Sequence, residues 1–232
     1  ACASGLFALE AAARHIQSGK CDAMVVAGGD YPGTLFKHRW FKERNLYAED
    51  GRIKPFSSNA DGLVFGDGAS ALILEELRHA KRRKARIYAE YMGSGFSLEG
   101  WKVTVPQLNG RSYQQAISDA LADAGLRTSD IDVINPHGAG IKMTDAYEAR
   151  AIAGVFGKIK EKQPLISAFK PYVGHNLGGS ALLETIILLL SLKHNKIPPI
   201  LNLSVTDNAY DLNLVTAPVY KHLKTGMKTA CG

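Results

Sequence analysis

Residues 1–30 read ACASGLFALEAAARHIQSGKCDAMVVAGGD, and their two halves have different periods. Leu6, Leu9, Ala13 and Ile16 recur at helical spacing, which predicts a helix over 4–17. The run that follows, 22–30, is short, rich in valine and closed by glycines, as a buried strand is. A helix running into a buried strand is an α/β unit, and the rest of the chain repeats the alternation. Strands are expected over 69–77 and 85–95, and a helix over 112–124. That helix carries a stripe of Ala116, Ile117, Ala120, Leu121 and Ala124, stopped by Gly125. Next come a strand at 131–138, a helix at 145–156, a strand at 164–170 and a long apolar helix at 179–193. Residues 198–204 follow in extended form, because Pro198 and Pro199 remove backbone donors. The pattern predicts α/β layering with no short repeat. The polar stretch 31–62 is a long loop with a short helix at 35–43, of the kind that covers a site or an interface.

Composition narrows the class. The chain has 232 residues, 46% hydrophobic and 22% charged, which suits globular material of one large or two small domains. No basic segment precedes the first apolar stretch, so no signal peptide is expected. The apolar run 186–192 is too short to span a bilayer and sits beside Glu184, which predicts a core helix. Cys2, Cys21 and Cys231 are too few and too irregular for a disulfide framework or a zinc site, and a reducing cytoplasm is expected. The net charge of +6 favours acidic partners without choosing one.

Three junctions carry reactive side chains. Cys2 stands just before a helix, whose dipole and free N–H groups lower a thiol's pKa and bind an oxyanion. A small buried cysteine is the alternative from position alone. His137 closes a strand in NPHGAG. Lys170 and His175 lie five residues apart across a glycine turn, with Glu184 on the next helix. Histidines at the ends of two strands of one α/β sheet differ from an isolated histidine, because sites gather at the carboxyl ends of strands. With Cys2 and a lysine they point to acyl transfer on a thioester.

These residues carry a family resemblance. ACASG, the HG of NPHGAG with Asp145 and Glu148, the K…GH…G of 170–178, and DGLVFGDGASALILEE occur in the order seen in β-ketoacyl synthases. The whole chain resembles the part of such an enzyme from the nucleophile onward. The resemblance implies a thiolase-like layered α/β/α fold, with 1–85 in the N-terminal half and 86–232 in the C-terminal half. It implies that half of a family chain precedes Cys2, that a glycine-phenylalanine-glycine loop follows Gly232, and that these 232 residues alone do not form a stable, active monomer.

The roles implied are those of a decarboxylating condensing enzyme. Cys2 accepts the acyl group and its N–H supplies half of an oxyanion hole. His137 and His175 bond the malonyl thioester oxygen, Lys170 pairs with Glu184, and Asp145 and Glu148 hold the loop after His137. Substrates would ride on the phosphopantetheine of an acyl carrier protein, with no cofactor or metal bound by the enzyme and no nucleic-acid or membrane partner. A homodimer, or a heterodimer with a second ketosynthase-like subunit, is implied. Two threonines that family members use for the pantetheine arm are Ala139 and Ile141 here, which weakens arm binding and suggests a polyene or polyketide pathway. Tyr172 is expected to reshape the pocket. The rivals are a non-catalytic chain-length-factor-like subunit, which lacks the cysteine, and a thiolase or initiation-type synthase, disfavoured by the lysine before VGH. FGDGAS lacks the spacing and the following helix of a phosphate loop, so close backbone packing is expected there. The basic stretch 78–86 has neither interleaved aromatics nor a nucleic-acid module. It reads as a solvated helix end, with docking of an acidic carrier protein second.

Overall fold

Helix α1 (Ser4–Gln17) leads into strand β1 (Ala23–Asp30) in the computed structural model, which describes residues 1–31, 33–102, 106–203 and 210–232. After the loop with helix α2 (Leu35–Glu43), strand β2 (Gly68–Glu75) pairs antiparallel with β1, Ala23 facing Glu75 and Asp30 facing Gly68. Helix α3 (Leu77–Arg82) holds the start of the basic stretch, and Arg78 projects into solvent. Helices α4 (Arg111–Ala124) and α5 (Lys142–Phe156) flank a sheet of order β4-β3-β7, formed by β3 (Val133–Asn135), β4 (Leu165–Ile166) and β7 (Gly226–Lys228). Both pairings in that sheet are parallel. Helix α6 (Lys170–Val173) is a single turn, and β5 (Lys196–Ile197) pairs antiparallel with β6 (Val219–Tyr220).

Helix α7 (Ser180–His194) organises the interior. It packs against β1 and β2 on one side and against β7 and β5 on the other, while α1 packs on both β1 and α7. A helix with sheets on opposite sides must be apolar nearly all round, and ALLETIILLLSL is. Ala12, Val26 and Leu182 form the contact between α1, β1 and α7. Leu188 meets Val133, Phe169 and Ile197 on the other side. With the preceding 3-10 turn the stretch Leu177–His194 reaches 18 residues at a mean hydropathy of 1.3, long and apolar enough by length and composition to cross a membrane. The sequence alone had put the apolar run as too short. Its fully buried Glu184 and its packing against two sheets make it a core helix here.

Three expectations are corrected. Residues 85–95 form no strand. A strand needs a neighbour to complete its ladder, and this segment instead lays side chains on α1: Tyr91 and Ser94 donate to Glu10, and Phe96 stacks on Phe7 at 4.3 Å. The strand expected over 131–138 ends at Asn135, since Pro136 has no N–H to continue the ladder. The strand expected over 164–170 ends at Ile166, so that Lys170 opens a helical turn with Pro171 in its first positions. Within 198–204, residues 198–203 have no strand partner, and Ser204 lies outside the described residues.

Candidate active site

Because β3, β4 and β7 are parallel, their carboxyl ends lie on one side of the sheet. His137 follows β3, Lys170 follows β4, and Lys228, Thr229 and Cys231 end or follow β7. Cys2 reaches the same region through the packing of α1 on α7. A Cβ on Gly5 would lie 2.9 Å from the Leu182 nitrogen, so only glycine lets the two helix starts approach this closely. Cys2, His137 and His175 line one continuous groove, together with Ala139 and Ile141.

The loop bearing His137 is held by its backbone. Glu148 Oε1 accepts from the His137 N–H at 2.7 Å, and Oε2 accepts from the Gly138 N–H at 2.9 Å. Tyr113 and Thr229 hydroxyls also donate to Glu148. Asp145 accepts from the N–H groups of Phe56 at 2.9 Å and Gly140 at 3.3 Å. Gly140 sits at φ +76°, where a side chain would be strained and would also meet the Gly62 carbonyl. On the other side, Lys170 Nζ donates to the His137 carbonyl at 2.6 Å and pairs with Glu184 Oε1 at 2.7 Å. Lys170 is 1% exposed and Glu184 fully buried, so each needs the other's charge.

His175 is fixed differently. Its backbone crosses the 64–66 segment, with the His175 N–H on the Val64 carbonyl at 2.7 Å and the Gly66 N–H on the His175 carbonyl at 3.2 Å. Gly66 and Gly174 touch backbone to backbone there, since a Cβ on Gly174 would lie 2.7 Å from the Gly66 Cα. This is where the first glycine of FGDG, Gly66, is used. The His175 ring meets Ser180 Oγ through Nδ1 at 2.8 Å. The two imidazoles stand 5.4 Å apart, centroid to centroid, nearly perpendicular at 78°. Among the described residues, His137 Nδ1 has no hydrogen-bond partner.

Burial, and next the positive charge of Lys170, hold both imidazoles well below the ordinary histidine range. They are neutral at physiological pH. The Cys2 thiol departs from expectation: burial pushes it up, and the charge of Lys170 offsets this only in part. Tyr172 is corrected as well. It does not line the groove, and its hydroxyl donates to the Pro199 carbonyl at 2.7 Å. Sequence reasoning missed Ser180, Tyr113, Thr229 and above all Lys228, which pairs with Glu184 Oε2 at 2.6 Å with its side chain 4% exposed. The available signal was a lysine between Met227 and the small residues of TACG.

With this geometry stand the comparisons. The β-ketoacyl synthase N-terminal domain matches residues 1–80, and the β-ketoacyl synthase C-terminal domain matches residues 88–204. The chain belongs to the β-ketoacyl synthase family. Among curated relatives, this synthase-family chain is 36% identical over 221 residues to the 3-oxoacyl-[acyl-carrier-protein] synthase 2 of Coxiella burnetii. That alignment covers 93% of this chain and 53% of the relative. The corresponding synthase of Vibrio cholerae is 35% identical with the same coverage. The chain thus spans about half the length of the curated relatives it matches. Among solved structures, a type II polyketide ketosynthase in complex with its acyl carrier protein superposes with a TM-score of 0.92 at 30% identity. It covers 98% of this chain and 57% of that one. A β-ketoacyl synthase from Burkholderia phymatum gives 0.88 at 33% identity, over 95% and 54% of the two chains. The fold of this synthase-family chain is therefore thiolase-like, α/β in class.

Proposed function

We propose that this chain carries the chemistry of a β-ketoacyl-acyl carrier protein synthase, an acyltransferase that condenses a Cys2-bound acyl chain with a malonyl unit on a carrier protein. The observation that carries the reading is the groove shared by Cys2 and two buried, neutral histidines, with the Lys170–Glu184 pair behind them. In the first step Cys2 Sγ attacks the acyl thioester. A carbon–sulfur bond forms to Cys2, the one to the carrier breaks, and the thiol proton leaves with the carrier thiol. In the second, malonyl thioester loses CO₂ and its electron pair passes into an enolate. The oxygen of that enolate needs donors, and neutral imidazoles with Nε2–H groups supply them. The carbanion attacks the Cys2 thioester, a carbon–carbon bond forms, and Cys2 leaves as the thiolate, which takes a proton from solvent.

The backbone N–H of Cys2 is half of the oxyanion hole in this reading. Asp145 and Glu148 are supports, since both accept backbone N–H groups of the His137 loop and its neighbour Phe56. The two units are 1–85 and 86–232, divided between the two family matches. The partner is an acyl carrier protein bearing phosphopantetheine, the assembly a dimer of like or unlike subunits, and the compartment the cytoplasm. The pathway is fatty-acid, polyene or polyketide synthesis. A chain-length-factor role is disfavoured by the joint presence of Cys2, His137, His175 and Lys170 in one site.

Incubation with an acyl carrier thioester, followed by mass spectrometry, is expected to show the adduct on Cys2. Label on Cys21 or Cys231 in its place overturns the assignment. His137→Ala and His175→Ala are expected to spare that acylation and to lower condensation by about 10²–10³-fold.

A further inference from the structure

Among the described residues, Lys228 is a buried cation that the mechanism does not use. Lys228 ends β7, and its ammonium pairs with Glu184 Oε2 at 2.6 Å and donates to the carbonyls of Thr229 at 2.7 Å and Pro136 at 3.0 Å. The Asn135 carbonyl lies at 3.5 Å. Every one of these partners is an acceptor. Burial lowers the Lys228 pKa and Glu184 opposes it; a neutral amine would turn its lone pair toward one of these acceptors, so they favour the charged form. Glu184 therefore bridges two buried lysines, Lys170 on Oε1 and Lys228 on Oε2, leaving one positive charge in excess. The lysines also grip consecutive carbonyls of the same loop, Lys228 that of Pro136 and Lys170 that of His137.

We infer that Lys228 is a second positioning lysine of this site, anchoring the strand end that presents His137 and setting the excess positive charge behind His137 and His175. This rests on the reading of those histidines as uncharged hydrogen-bond donors. The groups facing them are Cys2 just ahead of α1, Asp145 and Glu148 from α5, Lys170 from α6, Ser180 and Glu184 from α7, and Lys228 and Cys231 from β7 and beyond. Of these only the lysines carry a positive charge, and Lys228 joins Lys170 in disfavouring imidazolium at both rings.

The test is a titration of the full chain, with the His137 and His175 imidazoles followed by NMR on ¹³C-labelled histidine, beside the pH profile of condensation. In the wild type both rings are expected to stay uncharged until well below the ordinary histidine value of about 6.5. Lys228→Met, and Lys228→Gln with its donor to the Pro136 carbonyl retained, are expected to raise at least one imidazole by about one pH unit or more and to move the acid limb with it. Lys228→Arg is expected to hold both near their wild-type positions. Unchanged imidazoles in either folded charge-free variant overturn the inference. So does a wild-type ring that charges near its ordinary value of about 6.5, a measurement that needs no variant. Imidazoles that shift as expected uphold the role of Lys228 whether or not condensation is detected, while an acyl label that avoids Cys2 overturns the proposed function instead.

Discussion

Ser180 is an ordinary residue in an ordinary place, the first turn of a helix, yet its hydroxyl meets His175 Nδ1 at 2.8 Å. A hydroxyl donating to Nδ1 leaves the proton on Nε2, the tautomer that a developing enolate oxygen needs. Ser180→Ala is expected to lower condensation about tenfold, the value of one hydrogen bond near 1.4 kcal/mol, while acylation of Cys2 stays close to wild type. Single-turnover assays separate the two steps, and equal losses in both would sink the assignment. At Cys2 the thiol is pushed up by burial and pulled down by Lys170. Its alkylation by iodoacetamide is expected to keep accelerating above about pH 8.5, where a free thiol levels off. Lys170→Met is expected to move the curve higher still, and a plateau below pH 8 in either protein contradicts this. Cys2, His137, Lys170 and His175 were legible in the sequence because reactive side chains stood at the ends of elements. Ser180 and Lys228 were not, since a serine opening a helix and a lysine near a chain end have many commonplace reasons to be there.

Among elements, α1, α4 and α7 were read almost to the residue, because a 3.6-residue period over fourteen or fifteen positions is a long signal, while α5 begins three residues before the expected 145. The strands of the second sheet are two or three residues long and carry too little pattern to bound. The apparent strand at 85–95 shows the converse error, as alternation in one segment says nothing about whether a neighbour exists. Helix α5 offers a test at this scale. Ile141 occupies its N-cap in extended conformation and supplies no side-chain acceptor. Ile141→Thr is expected to cap the helix and stabilise the fold by about 1 kcal/mol, which thermal unfolding would register as a rise of about 2–4 °C. A lowered midpoint would show that the apolar contacts of Ile141 outweigh the cap.

At the scale of the molecule, acid–base balance reaches stability through Asp145. Burial, followed by the nearby Glu148, pushes its carboxyl up to about 7, against the opposing pull of the Phe56 and Gly140 N–H groups. A carboxyl raised in the fold stabilises it fully below its unfolded value of about 3.9, and that contribution is lost as pH rises through about 7. Urea unfolding is therefore expected to show a contribution that declines between about pH 4 and 7, and Asp145→Asn is expected to flatten it. A wild-type slope that survives the substitution assigns it to another group.

The clamp on the His137 loop has a further consequence for how such a chain can change. Glu148, Lys170 and Lys228 hold that loop by amides and carbonyls, which every residue possesses. Ala139 and Ile141, in the same loop, contribute their side chains to the groove wall. Replacing those two side chains would therefore reshape the wall while leaving the grip on the loop in place.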